Sequence, residues 1–178
     1  MKTPNGYDEI KRMFGNPGLR DGTVNAIWEK EHIKKITPPA GWQLYYQMDD
    51  ALVKVSGIRM HRFLEGSFQS VLRDVWQHAL NEVGRQSNDE TVRAWLHERR
   101  LDIHGGGYNF RPKRGGVEPS LHSFGIAIDW DPIHNPRKNP LTCTLPQWWF
   151  DIWKEHGWHN GRKFHTPDPM HVQFATGV

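Results

Sequence analysis

Ser120-Leu121-His122-Ser123-Phe124-Gly125-Ile126-Ala127-Ile128-Asp129-Trp130 is the stretch on which the reading of this chain turns. Ile126, Ile128 and Trp130 alternate with Ala127, Asp129 and Asp131, the period-two pattern of a half-buried strand. The alternation sets Asp129 opposite the apolar face, with small Ala127 beside it. His122 precedes the strand in a turn closed by Gly125, short enough to fold back toward Asp129. A second segment, Asp168-Pro169-Met170-His171, opens another alternation, with Met170, Val172 and Phe174 set against His171 and Gln173. If the two strands are neighbours, His171 joins His122 and Asp129. Asp168 then sits on the loop entering the second strand, within reach of a remaining ligand position.

Two imidazoles and one carboxylate are a donor set for zinc. Three protein ligands with an open position for water, plus a nearby carboxylate base, make up a hydrolytic site. A His and an Asp seven positions apart occur by chance in many proteins, and a lone His near a strand is usually a hydrogen-bonded structural residue. The added presence of Ser120, Gly125, Ala127 and the Asp168/His171 pair is what separates this chain from that background.

At these residues the chain resembles the zinc D,D-carboxypeptidase and L-alanyl-D-glutamate endopeptidase family, which cuts peptidoglycan stem peptides and shares its fold with the hedgehog signalling domain. The family pattern is Ser-x-His-x-x-Gly-x-Ala-x-Asp followed by an acidic residue and a His three apart, and every position is present here. The resemblance is strongest over about residues 104–175. The opening Pro4-Asn5-Gly6 with Phe14-Gly15-Asn16-Pro17 also looks like phage and prophage members. The better-known members carry Glu where this chain has Asp168, one methylene shorter, so its loop must approach the metal water more closely.

The resemblance implies one α+β domain over residues 1–178, with a small, mostly antiparallel central sheet flanked by about three to four helices. It implies Zn²⁺ held by His122, Asp129 and His171, with Asp168 as general base. Arg111, in Gly107-Tyr108-Asn109-Phe110-Arg111-Pro112, falls where the family carries an Arg that contacts substrate. Its guanidinium fork suits a substrate carboxylate or a developing oxyanion. Ser120 either orients a ligand through a hydrogen bond or caps local backbone. His156, His159 and His165 are read as surface or substrate-facing, Glu155 as a fallback base, and Asp131 as solvent-facing or a turn residue. The HExxH pattern of helical zinc proteases is absent.

Elsewhere the pattern predicts a short helix over 7–14, stopped by Gly15 and Pro17. Residues 23–47 read as short strands and a loop, and 51–63 as a weak alternation broken by Gly57. A long helix over Ser67–Val83 carries an apolar stripe at spacings of three and four. A helix over Asn88–Arg99 opens on a capping-box pattern, and so does one over Leu145–His156 at Thr144. Leu101–His104 reads as a strand entering a mobile glycine loop, Gly105-Gly106-Gly107; no Lys-Ser/Thr helix follows, so a phosphate-binding loop is a poor fit.

The 178 residues suit one domain, the net charge is +3, and apolar content is a modest 37%. No apolar run approaches membrane-spanning length, and the first residues lack a signal-peptide core. The single cysteine, Cys143, excludes an internal disulfide and reads as a small hydrophobe. The expected protein is a monomer made in a bacterial host cytoplasm, released to act on bacterial peptidoglycan stem peptides, with no nucleic-acid partner and no membrane insertion. The leading activity is a phage or prophage L-alanyl-D-glutamate endopeptidase (an endolysin); D-alanyl-D-alanine carboxypeptidase is the alternative. A non-catalytic phage structural or wall-binding protein with a structural zinc is the rival of another class. Nucleic-acid binding through the basic loops is a weaker third reading.

Overall fold

The computed structural model describes residues 1–178. The N-terminal helix α1 (Gly6–Phe14) places Asp8 and Glu9 in its first turn and Lys11 and Arg12 in its last, in accord with the helix dipole, and buries Ile10 and Phe14. Helix α2 (Ala26–His32) follows a loop and is an addition to the expected pattern, which gave only strands and a loop here. Its cap is Asn25, whose side chain accepts from the Trp28 N–H at 3.1 Å. Trp28 in turn donates its indole N–H to the Phe14 carbonyl at 2.8 Å, tying α2 to the end of α1.

Strands β1 (Ile33–Ile36), β2 (Leu44–Met48), β3 (Ala51–Val55) and β4 (Ile58–His61) come next. β1 and β4 form their own antiparallel pair, while β2 and β3 form a hairpin in the main sheet. Helix α3 (Glu65–Val83) is the central pillar; Phe68, Val71, Leu72, Val75 and Ala79 are its buried stripe. Helix α4 (Asp89–Glu98) is capped by Asn88, whose side chain accepts from the Thr91 N–H, and it buries Val92 and Leu96 but only part of Trp95.

Strand β5 (Ile103–Gly106) leads through a long exposed segment to a 3-10 turn (Leu121–Phe124) and strand β6 (Ala127–Trp130). Helix α5 (Gln147–Glu155) and strands β7 (His159–Gly161) and β8 (Asp168–Gln173) complete the chain. The expected capping box at Thr144 does not form. Pro146 stands at the N-cap position, and the Thr144 backbone and hydroxyl go instead to Asn135 Oδ1.

The main sheet has six strands in the order β3-β2-β5-β6-β8-β7. Only β2–β5 is parallel; every other pairing is antiparallel. The class is α+β as expected, with five α-helices rather than three to four because of α2. One apolar core joins the sheet to α1, α3, α4 and α5. Its densest part is aromatic: Trp130 meets Trp149 and Trp153, Trp153 meets Trp158, and Trp158 meets Phe174, all at edge or tilted angles. All four Trp are at most 1% exposed, so truncating any to Ala costs about 3–5 kcal/mol. This packing fixes β6 and β8 from behind. No helix is long and apolar enough to cross a membrane.

Candidate metal centre

The 3-10 turn delivers His122. Ser120 caps it, its hydroxyl accepting from the Ser123 N–H at 3.3 Å, and Gly125 closes it with φ 67 and an N–H bond to His122 O at 3.0 Å. Glycine is required at 125 on two counts: the left-handed backbone, and a Cβ there would press on His61 N at 2.6 Å. Asp129 lies on β6 and His171 on β8, and the two are direct partners in the antiparallel ladder. Side chains of such a pair stand on one face a few ångströms apart.

The three side chains meet. His171 Nδ1 is 3.0 Å from Asp129 Oδ1, His122 Nε2 is 3.3 Å from the same oxygen, and the two ring nitrogens are 3.2 Å apart. The opposite edge of each ring sets its tautomer. His122 Nδ1 lies 2.7 Å from the Gly107 carbonyl, which only accepts, so the proton is on Nδ1 and the Nε2 lone pair is free. His171 Nε2 lies 3.0 Å from Gln173 Oε1, and the Gln173 amide is oriented by its own N–H bond to Ala175 O at 3.0 Å. The His171 proton therefore sits on Nε2 and its Nδ1 lone pair faces inward. As neutral rings in these tautomers, both imidazoles turn a lone pair toward the Asp129 carboxylate.

Such a cluster has the donors and the spacing to hold a cation. Ligand atoms about 2.0–2.1 Å from a tetrahedral zinc lie about 3.3–3.4 Å from one another, close to the separations found here. The electrostatics agree. Burial works against protonating His171, but Asp129 and then Asp168 outweigh it and raise its pKa above the ordinary value. Burial likewise works against a charged Asp129, yet His122 and His171 hold its carboxyl far below the usual carboxylate range. These three residues are positioned as possible metal ligands, and no fourth His, Cys, Asp or Glu completes the group.

Asp168 is the first residue of β8 itself rather than of the loop before it. Its Oδ1 is buried without a hydrogen-bond partner, and its Oδ2 lies 3.7 Å from Arg137 Nε. Burial raises its pKa, and Asp129 raises it further against the pull of His171, Arg137 and His122. A carboxylate held above its ordinary range, with one oxygen unengaged, is suited to accept a proton.

The trio opens into a cleft of about 460 Å³ that also takes in Arg111, Lys113, Arg114, Arg137, Phe164, His165 and Asp168. A second cavity of about 340 Å³ shares Arg111, His122 and Asp129 with it, so space continues past the ligands. A separate cavity of about 660 Å³ is lined by residues of α3, α4 and the segment entering α5, and has no lining residue in common with the trio.

The other residues singled out by the sequence match some expectations and depart from others. Ser120 reaches only the Ser123 amide and hydroxyl, so it shapes the turn and orients no ligand. Asp131 is a turn residue with φ 42 but is wholly buried, bonded to Arg100 Nε at 2.7 Å, to His134 and to Asn135. Gly105 and Gly106 complete β5, and Gly107 is packed so tightly on β4 that a Cβ would strike Arg59 O and Ile58. That packing, rather than a mobile loop, is what brings the Gly107 carbonyl to His122. His156 is held by Asp74 at 2.6 Å, His159 begins β7, and His165 lines the cleft; none joins the ligands. Glu155 is exposed outside the cleft, and Cys143 only approaches the Leu145 carbonyl, with burial raising its thiol pKa.

The residues missed from sequence are Gln173, Arg137 and Gly107 through its carbonyl. Gln173 had a usable signal, since a residue two beyond His171 on a strand shares its face. Arg137 had none, because its closeness to Asp168 arises from a loop 31 residues upstream.

Comparison with known proteins adds one likeness. Residues 114–174, which span the turn, β6, α5 and β8, match a family described as D-alanyl-D-alanine carboxypeptidase. No curated protein and no solved structure matches the chain at a significant level.

Proposed function

We propose that the protein is a zinc-dependent peptidase that hydrolyses amide bonds in peptidoglycan stem peptides. The observation that carries this is the convergence of His122 Nε2, His171 Nδ1 and Asp129 Oδ1, each within 3.3 Å of the others, on a side that no fourth protein ligand closes. Zinc bound there would polarise the scissile carbonyl and bring the pKa of a bound water down toward about 7. Asp168 takes the proton of the attacking water on its carboxylate and passes it to the leaving amine. Gln173 and the Gly107 carbonyl hold the imidazole tautomers throughout. Arg111 grips a substrate carboxylate or the developing oxyanion from the exposed side of the cleft.

A structural zinc in a non-catalytic protein is the poorer reading, because structural sites are ordinarily closed by four protein ligands. Within the peptidase reading, cleavage between L-alanine and D-glutamate, as in a phage or prophage lytic enzyme, agrees with the N-terminal resemblance and with space on more than one side of the ligands. D-alanyl-D-alanine trimming is the second reading, favoured by the description of the matching family. Zinc-loaded protein incubated with purified peptidoglycan decides between them: mass spectrometry of the fragments shows new L-Ala and D-Glu termini in the first case and free D-alanine in the second. The absence of both new L-Ala and D-Glu termini and free D-alanine after incubation with zinc-replete protein would overturn the proposal.

A further inference from the structure

The cleft is unusually cationic for one that must itself hold a divalent metal. Arg111, Lys113 and Arg114 enter it from the segment before the 3-10 turn, and Arg137 enters from the loop after β6. Arg111, Lys113 and Arg114 form no ion pair; the acid of that segment, Glu118, is turned away to Lys11 at 3.1 Å. Arg137 has only Asp168, at 3.7 Å, beyond good hydrogen-bond length, so most of its donors are free. With Asp129 committed to the ligand trio, Asp168 is the one remaining acidic side chain lining the cleft. Four permanent positive charges from two separate chain segments thus face a site whose own negative charge is largely taken up.

The segment bearing three of these charges is not a loose tail. Pro112 and Pro119 form a bridge, Lys113 N–H donates to Glu118 O at 2.7 Å, and Tyr7 donates its hydroxyl to Pro119 O at 3.0 Å. Arg111 is fixed at its base, its N–H bonded to Ser123 Oγ at 2.9 Å and its carbonyl accepting from the same hydroxyl at 2.7 Å. A charged arm anchored on both α1 and the metal-binding turn sets these cations at the rim. Scattered surface lysines would show no such anchoring.

We infer that the cleft selects stem peptides carrying free carboxylates over the same peptides in amidated form, with Arg111, Lys113 and Arg114 on one segment and Arg137 on the other as the discriminating residues. A free carboxylate accepts paired N–H bonds from a guanidinium, whereas a carboxamide is neutral and offers one acceptor oxygen beside two competing donors. The inference rests on the proposed stem-peptide activity and deepens it by naming the charge state of the substrate.

The test uses zinc-loaded protein and two disaccharide-peptide fragments that differ only in whether the D-glutamate α-carboxyl is free or amidated. The expected result is a kcat/KM higher by at least about tenfold for the free form, the scale of one charge-assisted hydrogen bond. That preference shrinks as salt rises from low to physiological strength, because partly exposed charges are screened. Arg137→Gln, and separately the double substitution Lys113→Gln/Arg114→Gln on the exposed arm, reduce it mainly through KM for the free form. Equal kcat/KM for the two fragments overturns the inference while leaving the peptidase reading intact, and so does a preference that survives in every variant. Failure to cut either fragment, with zinc content at one per chain, overturns the peptidase reading and the inference with it.

Discussion

Asp129 and His171 are direct partners across the β6–β8 ladder, and their side chains close to 3.0 Å between Oδ1 and Nδ1. Sheet register therefore sets two of the three candidate ligands, and the short turn ending at Gly125 has only to add His122. The centre is rigid because its supports are: Trp130 and Val172, neighbours of these two ligands, are both buried with no measurable exposure. A one-residue slip of either strand would turn its ligand to the other face.

Metal content follows from this geometry. Purified protein should bind about one zinc per chain, and His122→Ala should lose most of it by elemental analysis. Zinc binding to the folded trio and not to the dispersed chain would raise the unfolding temperature of the parent with zinc concentration and leave that of the variant unchanged. Equal zinc in parent and variant would remove the ligand assignment.

Asp168→Asn keeps the size of the side chain and removes its basicity. Zinc content should be retained, while hydrolysis of peptidoglycan should drop by about 10²–10⁴-fold, the range for losing a general base. A variant that digests sacculi at the parental rate would show that another group takes the proton.

Gln173→Leu leaves the three ligands in place but strips the acceptor from His171 Nε2. Zinc affinity, measured by competition with a chromophoric chelator, should weaken by about 10–100-fold. Unchanged affinity would mean that the tautomer is held by something other than Gln173.

Stability should fall on mild acidification because of two buried histidines. Burial, then the nearby His32 and Arg62 charges, pushes His61 down to about 4, and burial alone does the same to His104. The unfolded chain protonates both near 6.5, so between about pH 6.5 and 4 the unfolded state binds more protons than the native one. Stability is thus complete above about 6.5 and is lost as pH falls toward 4, by at most about 3 kcal/mol per site. His104, whose ring nitrogens are both buried without a partner, isolates the effect. His104→Phe should flatten the denaturation midpoint against pH over that window relative to the parent; an unchanged slope would contradict it.

Asp131 should matter for folding rather than for catalysis. It is fully buried and accepts from Arg100 at 2.7 Å, so Asp131→Ala leaves that guanidinium facing an empty acceptor site. The expected cost is about 3 kcal/mol in denaturant titration, at the lower end for a broken buried pair because Arg100 is partly exposed. A loss within about 0.5 kcal/mol would place Asp131 among ordinary surface residues.

Local pattern determined a good part of this protein. The alternation through Ile126–Trp130 and Met170–Phe174 marked two strands, the spacing along Phe68–Val83 marked the pillar helix, and the runs Ser120–Asp129 and Asp168–His171 supplied the candidate donors, because each signal lies within one continuous run of residues. Helix α2 escaped because seven residues with only Trp28 buried show no periodicity, and its stability comes from the Asn25 cap and from a bond to Phe14. What only the tertiary structure decided is which strands adjoin, which carbonyls meet the two imidazoles, that Asp131 is sealed beneath Arg100, and that Arg137 stands beside Asp168. Those relations join residues far apart in the chain, and they exist only once packing of the aromatic core has fixed the order and register of the sheet.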